Sequence, residues 1–302
     1  MSLTPGPVSG SGQEERRTLI RDVENAGLHP DGERWLSATS RQVLATLSDG
    51  REATASELRA EIPLLEGAIE YGQGKSWAGR AGVTSRVLTV LSGEGKVVRA
   101  SNNGHWSISR PRWALTKTWL GDEIEAPTEE EGIAGLVAAW LQSFGPGTEA
   151  DLKWWLGSTL GSVRQALTTI AAVPVDLQGQ VGYVLSGDAE PSDETEPWGR
   201  LLPPLDPTVM GWRDRVWYLG PHREALFDSA GNAGPTVWWD GRIVGGWRQR
   251  ESGGIQLQLL EDVGRDATRA LEDEAALLED WLGGRRVLLR SPSPLWQEMA
   301  AD

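Results

Sequence analysis

Between residues 74 and 117 the chain carries eight cations, Lys75, Arg80, Arg86, Lys96, Arg99, Arg110, Arg112 and Lys117, against one acid, Glu94. The whole sequence of 302 residues has a formal net charge of -14. Cations gathered against the sign of their own chain are suited to holding anions, and a row of them suits a phosphate backbone. Helix, strand, turn and strand signals follow one another along this stretch. The charge is therefore expected on a helix and a β-hairpin, the two parts of a winged helix that touch DNA. Phosphate contact falls to Lys96, Arg99, Arg110 and Arg112 on the wing, with Ser85, Arg86 and Thr89 facing a groove. Lys75, Arg80 and Lys117 complete the DNA-binding set on this island.

Bond-making chemistry has fewer candidates. Asp206, ahead of Pro207, has the right type to orient a water at an extruded nucleotide, and it fits an Asx-type turn as well. Arg213, Arg215, His222 and Arg223 lie in a stretch, residues 198–250, whose net charge is +2, and are candidates to face DNA. Ion pairs with Asp214 and Glu224 explain them equally well. The chain has no Cys, and its histidines, His29, His105 and His222, are too far apart in sequence to suggest a metal cluster, so neither metal nor cofactor is expected. Gly74-Lys75-Ser76 ends like a phosphate-binding loop, yet Ile69 stands where the first glycine of that motif belongs. No G-x-S-x-G elbow occurs, so serine hydrolase chemistry has no support.

Elements must hold these residues in place. Thr39-x-x-Gln42 and Thr54-x-x-Glu57 have capping-box spacing and predict two short helices, and Ser85 to Ser92 predicts a third with Val87, Leu88 and Leu91 inward. Lys96 to Arg99 and His105 to Ile108 alternate around Asn103-Gly104, a dipeptide suited to a type I′ turn. The pattern then repeats. Thr128-x-x-Glu131 and Thr148-x-x-Asp151 open helices, Val163, Leu167 and Ile170 mark another, and two strands flank Gln178-Gly179-Gln180. Further on, strands are predicted around 216–219, 236–239, 243–247 and 255–260, then a helix from about Glu261 to Leu282 and a last strand at 287–289.

The fold class expected is α+β: tandem winged-helix domains followed by a C-terminal β-barrel-like domain with one long helix. The predicted divisions are a disordered tail over 1–12, an N-terminal helix over 13–36, a basic winged helix over 37–117, an acidic winged helix over 118–186, a linker over 187–197 and the barrel-like domain over 198–302. Net charge is +1 for residues 1–113, -11 for 114–197 and -4 for 198–302, so the middle third is poorly suited to phosphates. No apolar run long enough to span a membrane and no signal-peptide pattern is present, which predicts a cytoplasmic, nucleoid-associated protein without a membrane partner. Composition leaves the oligomeric state open. The sixteen Trp are expected mainly in cores.

Three blocks, Leu201-Leu-Pro-Pro-Leu-Asp-Pro-Thr-Val-Met-Gly-Trp212, Tyr218-Leu-Gly-Pro-His-Arg223 and Gly231 to Trp247, together with Arg213-Asp-Arg215, resemble the bacterial winged-helix proteins of the AlkZ/YcaQ type. The likeness covers about residues 35 to 300. It implies tandem winged helices and a β-barrel that clasp duplex DNA, and an activity of excising N7-alkylated purines and unhooking interstrand crosslinks. In that family a Gln-hydrophobic-Gln motif belongs to a first winged helix, which here should lie upstream of Thr39 and is not found. Gln178-Gly-Gln180 sits in a turn, and Gln256-Leu-Gln258 in a strand that puts both Gln on one face. The reading is a double-stranded-DNA-binding relative lacking the N-terminal catalytic winged helix, with alkylated or crosslinked duplex among its expected partners and its excision weak or absent. An active glycosylase using Asp206 and a transcription regulator with a sensing or dimerising barrel are the alternatives.

Overall fold

A computed structural model of the chain describes residues 10–71, 79–121, 127–190, 195–287, 289 and 292–301. The fold is mixed α+β and divides into two units, Met1–Gly132 and Ile133–Asp302.

The first unit opens with α1 (Gly10–Asn25) and α2 (Gly32–Thr46). Helix already begins at Gly10, so the tail expected over 1–12 does not reach its predicted end; residues 1–9 lie outside the described residues. The cap of α2 is Asp31, whose side chain accepts from the Arg34 N–H at 2.9 Å. Thr39, expected as a cap, is a buried interior residue whose hydroxyl donates to the Trp35 carbonyl at 2.8 Å. The reason is that the apolar period starts earlier than Val43: Trp35 and Leu36 are buried too, and the helix extends to bury them.

β1 (Ala53–Thr54) leads into α3 (Ala55–Glu61), which opens on the expected capping box of Thr54 and Glu57. An unexpected hairpin follows, β2 (Ala68–Tyr71) and β3 (Gly79–Gly82), before α4 (Val83–Gly93). Its strands are four residues each and carry glycine at both ends of β3, which hides a period-2 pattern. β4 (Val97–Asn102), β5 (Pro111–Leu115) and α5 (Thr116–Leu120) complete the unit. The return strand predicted at 105–108 is therefore displaced to Pro111–Leu115, and residues 103–110 form a loop instead of a two-residue turn. β1, β5 and β4 make an antiparallel sheet in that order, with Ala53 opposite Trp113 and Arg99 opposite Trp113 from the other side.

α4 buries Val83, Val87, Leu88, Val90 and Leu91, a wider apolar surface than the one face predicted, because α1 packs along it with Leu19 and Val23. The approach is close: a Cβ at Gly12 would stand 3.2 Å from the Gly93 carbonyl oxygen. Each such Leu or Val, wholly removed from water, contributes roughly 1.5–3 kcal/mol of transfer free energy.

α6 (Glu129–Phe144) starts from Thr128, whose hydroxyl accepts from the Glu131 N–H at 3.3 Å, and its Ile133–Phe144 part belongs to the second unit. There α7 (Glu149–Leu156), α8 (Leu160–Thr169) and the hairpin of β6 (Val173–Leu177) and β7 (Gln180–Val184) follow. Gln178 and Gly179 turn that hairpin with φ of 55° and 92°, the two positive values a tight turn between twisted strands needs. Of the predicted linker, 191–194 lie outside the described residues.

β8 (Gly199–Leu202), α9 (Pro207–Met210), α10 (Val216–Leu219) and α11 (Arg223–Leu226) precede β9 (Thr236–Trp239), β10 (Arg242–Gln249) and β11 (Ile255–Leu259). The four strands form an open antiparallel sheet in the order β11-β10-β9-β8; among the described residues no strand closes it into a barrel. β10 comes close to β11 at Gly245, where a Cβ would lie 2.2 Å from the Gln258 carbonyl oxygen. Residues 216–219, predicted as a strand, are a helical turn because Tyr218 goes inward against Trp212 and Trp238 while Val216 and Trp217 stay outside. The long helix expected is α12 (Arg265–Leu282), closed by Gly283 at φ 56° and packed over β8 and β11. Val287 and Leu289, expected in a strand, are outside any strand, and residue 288 lies outside the described residues; α13 (Pro294–Ala301) ends the chain.

Candidate nucleic-acid interface

The loop joining β4 to β5 is built around one side chain. The Asn102 amide donates to the carbonyl oxygens of Gly104, His105 and Ile108 at 3.3, 3.1 and 2.9 Å, and its Oδ1 accepts from the Arg110 N–H at 2.8 Å. The Asn103 N–H closes the base of the loop on the Arg110 carbonyl at 2.7 Å. A loop pinned in this way can keep apolar groups in solvent. Trp106 is 53% exposed and Ile108 46%, with the His105 ring 5.3 Å from that of Trp106. Arg110 is exposed beside them, and the Arg99 guanidinium lies 5.5 Å from the Trp113 ring centroid. No acid occurs between Gly95 and Gly121. Apolar rings and cations on one hairpin, whose own residues include no acid although Glu52 accepts from Ser101 beside it, can meet both the bases and the backbone of a nucleic acid.

The other expected cations of this unit have different surroundings. Arg86 is held by α1, 3.4 Å from Asp22 and 3.6 Å from Glu15. Arg112 pairs with Glu57 at 3.4 Å and donates to the Glu52 carbonyl, and Lys96 pairs with Glu94 at 2.7 Å. The Glu57 carboxyl is pulled below the ordinary carboxylate range first by its hydrogen bond from the Thr54 N–H, then by the Thr54 hydroxyl, with Arg112 adding to it. Lys96 and Arg16 draw Glu94 down in the same way, against the opposing effect of its partial burial. Ser85 and Thr89 are exposed on α4, and each hydroxyl donates to a helix carbonyl, of Gly82 and Ser85 respectively, at 2.9 Å. Arg80 faces Glu70 across the β2–β3 pair, and Lys117 is exposed at the start of α5. Lys75, with Gly74 and Ser76, lies outside the described residues.

In the second unit the candidates separate. Arg215 is only 7% exposed: its Nε donates to the Trp212 carbonyl at 2.6 Å, and its guanidinium lies 5.0 Å from the Trp154 ring and 5.4 Å from Phe227. Burial pulls its pKa below the usual arginine value. Arg223 lies over the same Phe227 ring at 5.1 Å, His222 is 3.5 Å from Glu261, and Arg213 is exposed while its N–H donates to Asp151 at 2.8 Å. Asp206 caps α9, accepting from the Thr208 N–H at 2.8 Å. Among the described residues no group of three His, Cys, Asp or Glu side chains is arranged to hold a metal ion, and no helix is long and apolar enough to cross a membrane.

Sequence reasoning passed over Asn102, Trp106 and Ile108. The available signal is the Asn102-Asn103 doublet, since an Asn side chain in a turn can hydrogen-bond the backbone around it.

Taken with this fold, family comparison settles the class: the chain belongs to the AlkZ-like DNA glycosylase family, whose description, DNA glycosylase AlkZ-like, matches residues 13–281. Among individual proteins it is 28% identical over 290 residues to an interstrand DNA cross-link repair glycosylase of Streptomyces sahachiroi, covering 87% of this chain and 72% of the relative. The solved structure of the Streptomyces sahachiroi DNA glycosylase AlkZ shares the fold, with a TM-score of 0.64 and 22% identity over 94% of this chain and 77% of that one.

Proposed function

We propose that this protein binds double-stranded DNA in repair, gripping it through the β4–β5 hairpin of a winged helix. The three-stranded order β1-β5-β4, with α2, α3 and α4 beside it, supports the winged-helix reading of the first unit. In the second unit α6, α7, α8 and the β6–β7 hairpin, with Gly147 bridged to Tyr183, support a second copy of that plan. The observation that carries the function is the Asn102-pinned loop, which presents Trp106, Ile108 and Arg110 on a segment with no acid of its own. Arg99 lies on β4 of the same hairpin and Lys117 just past its opposite end, at the start of α5, whereas Arg86 and Arg112 serve mainly to hold α1 and α3.

About four phosphate contacts from the hairpin and its neighbours give an expected slope of log K against log[salt] near ~-3.6, at ~-0.9 per contact. Anisotropy titrations of a labelled duplex between 0.1 and 0.3 M salt measure it, and a slope near zero removes the reading. Family membership makes alkylated or crosslinked duplex the preferred form, so a duplex carrying N7-methylguanine is expected to bind more tightly than its undamaged twin. Retention of one genomic fragment over bulk DNA, with no lesion preference, points instead to a regulator. Excision is not part of the proposal: Asp206 is engaged as a helix cap, and Gln256 of the β11 Gln-Leu-Gln run accepts from the Arg250 Nε at 3.3 Å. Release of N7-methylguanine that is lost in Asp206→Asn would give that cap a second role.

A further inference from the structure

Apart from the hairpin, the second unit contains a cavity of about 530 Å³ whose lining includes Arg248, Arg250, Glu251, Gln256, Arg286 and Trp296. Its three arginines come from β10, from the residue just after it and from the segment beyond α12. Several arginines elsewhere sit on carboxylates, Arg16 on Glu33 and Glu94, Arg51 on Glu61, Arg164 on Glu149 and Arg200 on Glu274, while others such as Arg215 and Arg223 lie against aromatic rings. Among the described residues, Arg248, Arg250 and Arg286 form no ion pair, although the chain as a whole has an excess of acid. Glu251 is the one acid in the lining.

The site is built as well as charged. Arg248 donates to the Met299 carbonyl, its guanidinium lies 5.7 Å from the Trp296 ring, and its Nε is buried without a partner. Arg250 is tied to Gln256 through its Nε at 3.3 Å, which leaves its terminal nitrogens unused. The backbone on either side of Arg286 is fixed by buried Gln249, whose Nε2 donates to the Arg285 carbonyl at 2.7 Å and whose Oε1 accepts from the Val287 N–H at 3.1 Å. The same amide also donates to the Gly253 carbonyl at 3.2 Å, so one side chain closes this end of the sheet. Three like charges held around one hollow repel one another, and a buried N–H without an acceptor is costly. A tetrahedral oxyanion in the hollow offsets the repulsion, because its oxygens match the guanidinium fork.

We propose that this cavity binds a phosphate group, either a backbone phosphate of DNA or a free phosphate ion, with Arg248, Arg250 and Arg286 as its donors and Gln249 as the residue that positions Arg286. The claim does not rest on the hairpin's role.

The test is a ³¹P NMR titration of inorganic phosphate with the full chain at low ionic strength. Saturable broadening of the phosphate line is expected. The double variant Arg250→Gln/Arg286→Gln should weaken binding at least tenfold, and Arg269→Gln, on the exposed side of α12, should leave it unchanged. Gln249→Leu should weaken it severalfold with Arg286 intact. Displacement of phosphate by duplex DNA assigns the site to the DNA backbone; phosphate that stays bound under saturating duplex assigns it to the free ion. Arg99→Gln/Arg110→Gln, which tests the hairpin, should leave phosphate binding in place. Absence of saturable broadening, or equal affinity in wild type and the Arg250/Arg286 variant, overturns the proposal.

Discussion

Asn102 and Asp151 show how one polar side chain can shape a surface. Asp151 is buried and accepts from the N–H groups of Thr148, Arg213 and Asp214 at 3.0, 2.8 and 3.3 Å, so it caps α7 and anchors the turn that precedes α10. Asn102 is exposed and buries no core, yet its amide fixes four points of the loop that carries Trp106. The two roles give different consequences on substitution. Asn102→Ala should change global stability by no more than ~0.5 kcal/mol, since nothing apolar is uncovered. Duplex affinity should fall by about tenfold, roughly 1.4 kcal/mol, because the exposed rings and Arg110 lose their fixed spacing before contact. Urea unfolding and anisotropy on the same preparation compare the two quantities. Unchanged affinity with a disordered loop would mean that the loop's shape is irrelevant to binding.

At the scale of elements, α1 decides what α4 can do. Leu19 and Val23 cover one side of α4, and Asp22 and Glu15 take its only arginine, so α4 offers solvent little beyond Ser85, Thr89 and its last turn. Arg86→Gln should therefore loosen the α1–α4 contact and lower the melting temperature while leaving duplex affinity within about twofold. Arg110→Gln should do the reverse, with the salt slope falling by ~0.9. Equal losses of affinity in both variants would return α4 to the groove. This division was only partly legible in the sequence. The capping boxes at Thr54, Thr128 and Thr148 could be read because each depends on residues three apart, and the Gln178-Gly179 turn because positive φ favours glycine at its second position. Thr39 misled because the same spacing occurs inside a helix once Trp35 and Leu36 are buried from farther off. Arg86 looked free because its partners stand 64 and 71 positions earlier, and nothing local in a sequence announces a pairing at that range. The Arg248, Arg250 and Arg286 cavity was hidden for the same reason: two of its donors share a strand end, and the third joins them only through Gln249.

For the whole molecule the question is how an anionic chain binds a polyanion at all. The net charge is -14, with -11 of it in residues 114–197, while the hairpin stretch from Gly95 to Gly121 holds no acid. Which of these a DNA phosphate feels depends on the screening length. At about 0.15 M salt charges are screened over ~8 Å, so the duplex meets the local cations and little else. At about 0.01 M the length grows to ~30 Å, and any acidic region within that reach enters the sum as repulsion. Counterion release favours binding as salt falls, and long-range repulsion opposes it over the same range. The log K against log[salt] plot should accordingly be straight between about 0.1 and 0.3 M and flatten or turn over below ~0.02 M, unlike that of a uniformly basic DNA-binding protein. Anisotropy measured across the full range checks this. A line that keeps its slope to the lowest salt would show that the acidic segments lie beyond electrostatic reach of the bound duplex, and that the hairpin behaves as an isolated basic module.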